Sequence, residues 1–187
     1  LSLLLALRNK PERSQLRTDT LFARLKSDDR WDSLWSHKYY SDVELKLEMA
    51  VRELNVKNYK LALTLLDELI ESRSSLHRAL YYRARLFYEQ GVVRSALDDI
   101  SLAIKKYSRD PQYFGLSAKI LHRMGKDRKA LSQIRVAISL DEHNPQWYRM
   151  ATVIANSLEQ NEYGLSVSGL YLHAFPDSAT ALYRHAN

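Results

Sequence analysis

From Val43 onward the chain sets apolar residues at helical spacing and interrupts them with short polar turns. Leu66 and Leu69, Ile100 and Ala103, and Ile134 and Ala137 each lie three apart, the spacing of a buried helical face. Ahead of these pairs stand Ala62, Ala96 and Ala130, 34 residues apart, and each is preceded by twelve residues by Ala50, Ala84 or Ala118. Small side chains at both places let two helix backbones approach where they cross. The intervening turns read Val56-Lys57-Asn58-Tyr59, Gln90-Gly91-Val92-Val93 and Met124-Gly125-Lys126-Asp127. Gly91 and Gly125 hold the same place, and glycine tolerates the left-handed conformation that ends a helix. The pattern therefore predicts helical hairpins, beginning with helices near Val43–Leu54 and Lys60–Ser72. A second hairpin uses Leu80, Ala84 and Phe87, then Ala96, Ile100 and Ile104. A third uses Phe114, Ala118 and Leu121, then Ala130, Ile134 and Ile138.

Start signals sharpen the phase. Asp110 before Pro111 and Asn144 before Pro145 join a side-chain cap to a proline at the first helical position. Counted this way, units begin at Val43, His77 and Pro111, and a fourth begins at Pro145. The fourth has Trp147, Tyr148, Ala151 and Ile154 available for packing, but Gly164 falls where the anchor alanine would be, and a further helix is expected after Ser178. Before the regular units, Pro11 sits in a polar connection. Leu21, Phe22 and Leu25, then Trp31, Leu34 and Trp35, suggest a shortened hairpin. Its tryptophans either cover the open end of the stack, as terminal repeats must, or hold a ligand. The opening Leu1–Leu7 is either a packing helix or a processing or membrane-proximal remnant; it is too short to span a membrane.

This unit of 34 residues, with small residues at its eighth and twentieth places, a turn glycine and a hydrophobic second helix, resembles the tetratricopeptide repeat. The resemblance covers three regular units and a divergent fourth. The aromatic of the fourth place is present as Phe114 and Tyr148 but is Lys46 and Leu80 in the first two units, and the late proline is replaced by Ser74, Ser108 and Glu142. The short N-terminal hairpin is also similar to that of small bacterial cell-envelope members of the family. The fold implied is all-α, a superhelical solenoid of antiparallel hairpins, with a cap or degenerate repeat over residues 1–42, three regular units over 43–144, and a divergent repeat with the start of a capping helix over 145–187.

Composition agrees with a nearly all-helical chain: 187 residues, 45% hydrophobic, with only five glycines and four prolines to interrupt the helices. Without cysteine there is neither a disulfide nor a thiolate metal site. The six histidines, His37, His77, His122, His143, His173 and His185, have no metal-ligand spacing, and neither a nucleotide-binding glycine loop nor a nucleophile motif is present. Asp98 and Asp99 are adjacent and face different ways, and Glu68 with Glu71 fits a charged outer face. The expectation is a non-enzyme without cofactor or metal. Its compartment stays open between cytoplasm and bacterial periplasm.

The resemblance implies that partners bind along the first helices. The groove places then fall on Glu44, Leu47, Val51, Leu54 and Asn55; on Arg78, Tyr81, Arg85, Tyr88 and Glu89; on Gln112, Gly115, Lys119, His122 and Arg123; and on Gln146, Arg149, Val153, Asn156 and Ser157. Arg78 and Arg85, like Tyr81 and Tyr88, are seven apart and share a side, as do Lys119 and Arg123 at four apart. Arginine forks a carboxylate, and tyrosine covers an aliphatic chain while keeping a polar contact. The protein-binding candidates are therefore Arg78, Tyr81, Arg85, Tyr88, Lys119, His122, Arg123, Arg149 and Asn156, and the expected partner is a protein segment of acidic character. Gly115 is expected to open space in the groove. The alternatives are a solvated face or a groove filled by the chain's own terminal helix. The lysine and asparagine clamp by which some members hold chaperone tails is not reproduced.

A net charge of +6 favours acidic partners in general. Arg128, Lys129 and Arg135, with Lys105 and Lys106, supply a second reading, contact with nucleic acid, although acidic residues interrupt them. Exposed repeat ends also allow stacking on another copy of the chain.

Overall fold

The computed structural model describes residues 41–73, 76–158 and Gly169. The expectations for the opening run, for the hairpin holding Trp31 and Trp35, and for the segment around Gly164 and beyond Ser178 lie outside the described residues. Among the described residues seven α-helices follow one another: α1 (Asp42–Asn55), α2 (Tyr59–Glu71), α3 (Leu76–Glu89), α4 (Val93–Lys106), α5 (Pro111–Arg123), α6 (Asp127–Leu140) and α7 (Pro145–Ser157). No strand occurs among the described residues.

Helix ends follow local chemistry. Before α1, the Ser41 hydroxyl accepts from the Glu44 amide at 3.2 Å and the Glu44 carboxylate accepts from the Ser41 amide at 2.8 Å, a reciprocal capping box. Asp110 accepts from the Gln112 amide at 2.9 Å and Asn144 from the Gln146 amide at 3.1 Å, each ahead of the proline that opens α5 or α7. Helices α4 and α6 have no side-chain cap; Val92 and Lys126 stand at those places.

The three hairpin turns share one backbone. Lys57 (φ 62°), Gly91 (φ 82°) and Gly125 (φ 69°) are all left-handed. After each, the next amide reaches back across the helix end: Asn58 to the Glu53 carbonyl at 2.8 Å, Val92 to Phe87 at 2.8 Å, Lys126 to Leu121 at 2.9 Å. The glycines thus sit where a side chain is strained, and in the first turn a lysine bears that strain.

The chain divides into two compact units, residues 1–65 and 66–187, with the division inside α2. In the first, Leu47, Ala50, Leu54 and Ala62 are fully buried. In the second, α3 packs along α4, α5 along α6, α4 against α5 and α6 against α7, so consecutive antiparallel hairpins stack. Its two apolar clusters run through Leu80, Ala84, Ala96, Ile100, Tyr113 and Ile120, and through Phe114, Ala118, Ala130, Ile134, Trp147 and Ile154. The alanines at the eighth and twentieth places, 50, 84 and 118 with 62, 96 and 130, are all inaccessible, as helix crossings demand. Each buried leucine or isoleucine contributes about 1.5–3 kcal/mol relative to exposure, which is what holds such short helices in place. No helix of the described residues is long and apolar enough to cross a membrane.

Candidate protein-binding face

On α3 and α5 the side chains expected to meet a partner come together in pairs. Arg123 reaches from the end of α5 to α3, donating from Nη1 to the Tyr88 carbonyl at 3.0 Å, with its guanidinium 5.3 Å from the Tyr88 ring centroid. Such a cation over a ring contributes about 0.5–1 kcal/mol at an exposed site. Arg85, one turn before Tyr88, donates from Nε to the Glu89 carboxylate at 3.0 Å. Lys119, one turn before Arg123, is exposed. Arg78 and Tyr81 are half-buried. Tyr81 stacks on Tyr113 of α5 with centroids 4.9 Å apart and meets Tyr82 edge-on at 5.0 Å. Burial, and secondarily Tyr82, push the Tyr81 phenol up to about 12, against the pull of Arg85, so its hydroxyl stays protonated and can donate.

His122 lies under the α5–α6 turn with Nδ1 2.6 Å from the Asp127 carboxylate, so the turn already occupies it. Arg149 and Asn156 are exposed on α7. Lys119 and Arg149 form no ion pair among the described residues, which leaves these two ammonium and guanidinium groups available to an incoming carboxylate.

Two expectations change. Leu47 and Leu54 occupy groove places by register, yet each is only 1% exposed, because an apolar side chain there is drawn into the core. Gly115 does not open the groove: a Cβ on it would lie 2.3 Å from Cζ3 of Trp147, so its missing side chain is filled by the α7 indole. The indole is buried and donates from Nε1 to Asp141 at 3.3 Å. Asp99, read from the sequence only as facing away from Asp98, is buried and paired. Its carboxylate accepts two bonds from Arg83, at 2.7 Å from Nε and 2.8 Å from Nη2, while Arg83 Nη1 donates to Asp67 at 2.7 Å. These bonds, Asp99 first, hold the guanidinium pKa above its ordinary value against the opposing effect of burial.

A further cluster was missed by sequence reasoning. His77 stacks on Tyr107 at 4.9 Å, and its Nδ1 is 2.8 Å from the Tyr113 hydroxyl. Burial raises the Tyr113 phenol. The signal available in sequence was the recurrence of aromatic and histidine residues at the openings of consecutive units. No group of three or more metal-ligating side chains suited to an ion occurs among the described residues.

No family model matches this sequence, and no curated protein matches it. Solved structures do. YrrB, described as a tetratricopeptide protein with an unusual peptide-binding site, is 18% identical with a TM-score of 0.66, over 84% of this chain and 80% of that one. MamA from Desulfovibrio magneticus RS-1 is 15% identical with a TM-score of 0.67, over 78% of this chain and 82% of that one. The first such domain of Spaghetti (RPAP3), bound to the HSP90 peptide SRMEEVD, is 17% identical with a TM-score of 0.53, over 59% and 87%. At these identities the likeness is one of fold, and with the alanine-lined hairpins and their common turn it shows that this chain has the tetratricopeptide-repeat fold.

Proposed function

We propose that the protein is a non-catalytic interaction module that captures an acidic protein segment along the first helices of its second unit. The observation that carries this reading is the Tyr88–Arg123 contact, which draws a tyrosine of one hairpin and a cation of the next onto one face, with Arg85 and Lys119 one turn away on each helix. Tyr81 and Tyr88 supply contact area, and Lys119 and Arg149 supply unpaired positive charge. Arg85 would exchange its intrahelical carboxylate for one on the ligand. The acidic peptide held by the domain of Spaghetti supports the choice of partner chemistry, and the peptide site named for YrrB supports the class of role.

Affinity capture from the native organism's lysate, comparing the intact chain with Arg85→Glu/Lys119→Glu, tests it. A retained protein should be lost from the double reversal, with affinity for the isolated segment reduced about tenfold or more, the weight of one charge-assisted hydrogen bond. Because Arg85→Glu places two glutamates four apart on α3, Lys119→Glu alone serves as the control that leaves helicity untouched. Equal capture by all three proteins would refute the assignment of this face.

A further inference from the structure

The hairpin turns of the second unit carry cations that the first-helix face does not use. At the α3–α4 turn Val92 is 44% exposed and Arg94 is exposed beside it. At the α5–α6 turn Lys126, Arg128 and Lys129 are exposed, and they form no ion pair among the described residues. The acids flanking these turns are engaged, Glu89 by Arg85 and Asp127 by His122. Arg123 shows that the two turns lie at one edge of the stack, since it bonds the Tyr88 carbonyl and comes within 3.6 Å of where a Gly91 Cβ would be. At the opposite ends of these helices the cations are interleaved with acids: Lys105, Lys106 and Arg109 stand there with Asp110, Asp141 and Glu142.

The fold gains nothing from this arrangement. Arg94, Arg128 and Lys129 stand in the first turns of helices that have no side-chain cap, where the helix dipole favours acids and disfavours cations. Their charge is directed outward. It is spread over the tips of neighbouring turns around an exposed valine, without a fixed fork or concavity to select one carboxylate. Diffuse positive charge with a shallow apolar side chain suits a surface of anionic headgroups. A nucleic acid would want open aromatic rings on which to stack its bases, and Tyr88, the tyrosine at this edge, lies under the Arg123 guanidinium.

We propose that this turn edge docks the protein peripherally on an anionic phospholipid bilayer, with Arg94, Lys126, Arg128 and Lys129 at the headgroups and Val92 entering the interface. The surface is separate from the face assigned to a protein segment, and the two can be tested apart. Co-sedimentation of the full chain with phosphatidylcholine vesicles, with and without phosphatidylserine, is the measurement. Binding is expected only with phosphatidylserine, to weaken as salt rises, and to fall at least about tenfold in Lys126→Glu/Arg128→Glu/Lys129→Glu.

 Lys126→Gln/Arg128→Gln/Lys129→Gln is the second variant, should the reversal fail to fold, and it is expected to lose binding in the same direction by a smaller factor. Val92→Ser should weaken binding less than either. Lys119→Glu, which leaves the Arg85–Glu89 pair at the turn intact, should bind vesicles as the parent does, so failure of the peptide face and failure of the turn edge give different results. The proposal is overturned by absence of phosphatidylserine-dependent sedimentation at low salt, by sedimentation that both triple variants retain in full, or by an RNA that the chain prefers to the vesicles in direct competition.

Discussion

Helix α5 buries eight of its thirteen residues, Tyr113 to Ala118 with Ile120 and Leu121, whereas α3, the corresponding helix one unit earlier, buries four of fourteen: Ala79, Leu80, Ala84 and Leu86. Both helices occupy the same place in the repeat and close on the same turn. Around α5 the packing is apolar and close, with Gly115 giving up its side chain to the Trp147 indole. Around α3 it is made by long polar groups, with Arg83 held between Asp67 and Asp99 on one side and Tyr81, Arg85 and Tyr88 half-buried on another. One backbone plan is thus filled in two ways, and the polar filling is the one that leaves chemistry at the surface.

The largest test falls on α5. Gly115→Val should destabilise the protein by about 3 kcal/mol, because the new side chain enters volume held by a buried ring and the close-packed core has little room to give. Denaturant unfolding measures it. A loss no greater than the about 1 kcal/mol typical of an ordinary substitution would mean that α7 moves aside easily, and the contrast with α3 would dissolve.

On α3 the matching test is Arg83→Met. It leaves Asp99, whose side chain is 10% exposed, without its two hydrogen bonds. The cost should be about 2 kcal/mol, below the figure for a fully buried pair because Asp67 is 42% exposed. Arg83→Met/Asp99→Leu should recover most of that loss, since replacing both partners by apolar groups removes the stranded charge. If the double variant is no more stable than the single one, the ion pair is not what holds α3 to α4.

These pairings mark the limit of what the sequence discloses. The alanines, the turn glycines and the Asp-Pro and Asn-Pro starts are local or strictly periodic, so they can be read from one chain. Gly115 with Trp147, Arg83 with Asp99 and His77 with Tyr113 are contacts between helices, and they depend on axial shifts that periodicity does not encode. Leu47 and Leu54 show the same limit from the other side: register alone assigns them to a groove, while their burial assigns them to the core. Apolar residues at nominal groove places were the available warning.

The turns ask whether α3 and α5 differ in packing alone. If they do, Gly91→Ala and Gly125→Ala should cost alike, about 1 kcal/mol each, because both backbones are left-handed and neither added Cβ meets a clash: the nearest atom is Arg123 Nη2 at 3.6 Å for the first, with nothing within 4 Å for the second. Lys57→Gly should then raise stability by roughly 0.5–1 kcal/mol by relieving the same conformation in the first turn. A markedly larger cost at Gly91 would locate part of the α3 difference in its turn.

The smallest expected effect is a pH dependence that α3 brings through His77. Its ring stacks on Tyr107 and its Nδ1 faces the Tyr113 hydroxyl, with Arg78 beside it and Asp110 on the following loop. Burial first, and Arg78 second, lower its pKa from the ordinary 6.5, and Asp110 only partly offsets them. As pH falls, the unfolded chain therefore takes up this proton before the folded one does. Stability from this group is complete above the unfolded value of 6.5 and is lost as pH falls from there through the lower folded value. Protonation also makes both ring nitrogens donors and places a positive charge beside the Arg78 guanidinium. Melting temperatures of the parent and of His77→Phe, compared at about pH 7.5 and about pH 5.5, isolate the contribution, since the other titrating groups are common to both proteins. The parent should lose more stability than the variant over that interval; equal losses would show that the histidine sits at this junction without coupling its proton to the fold.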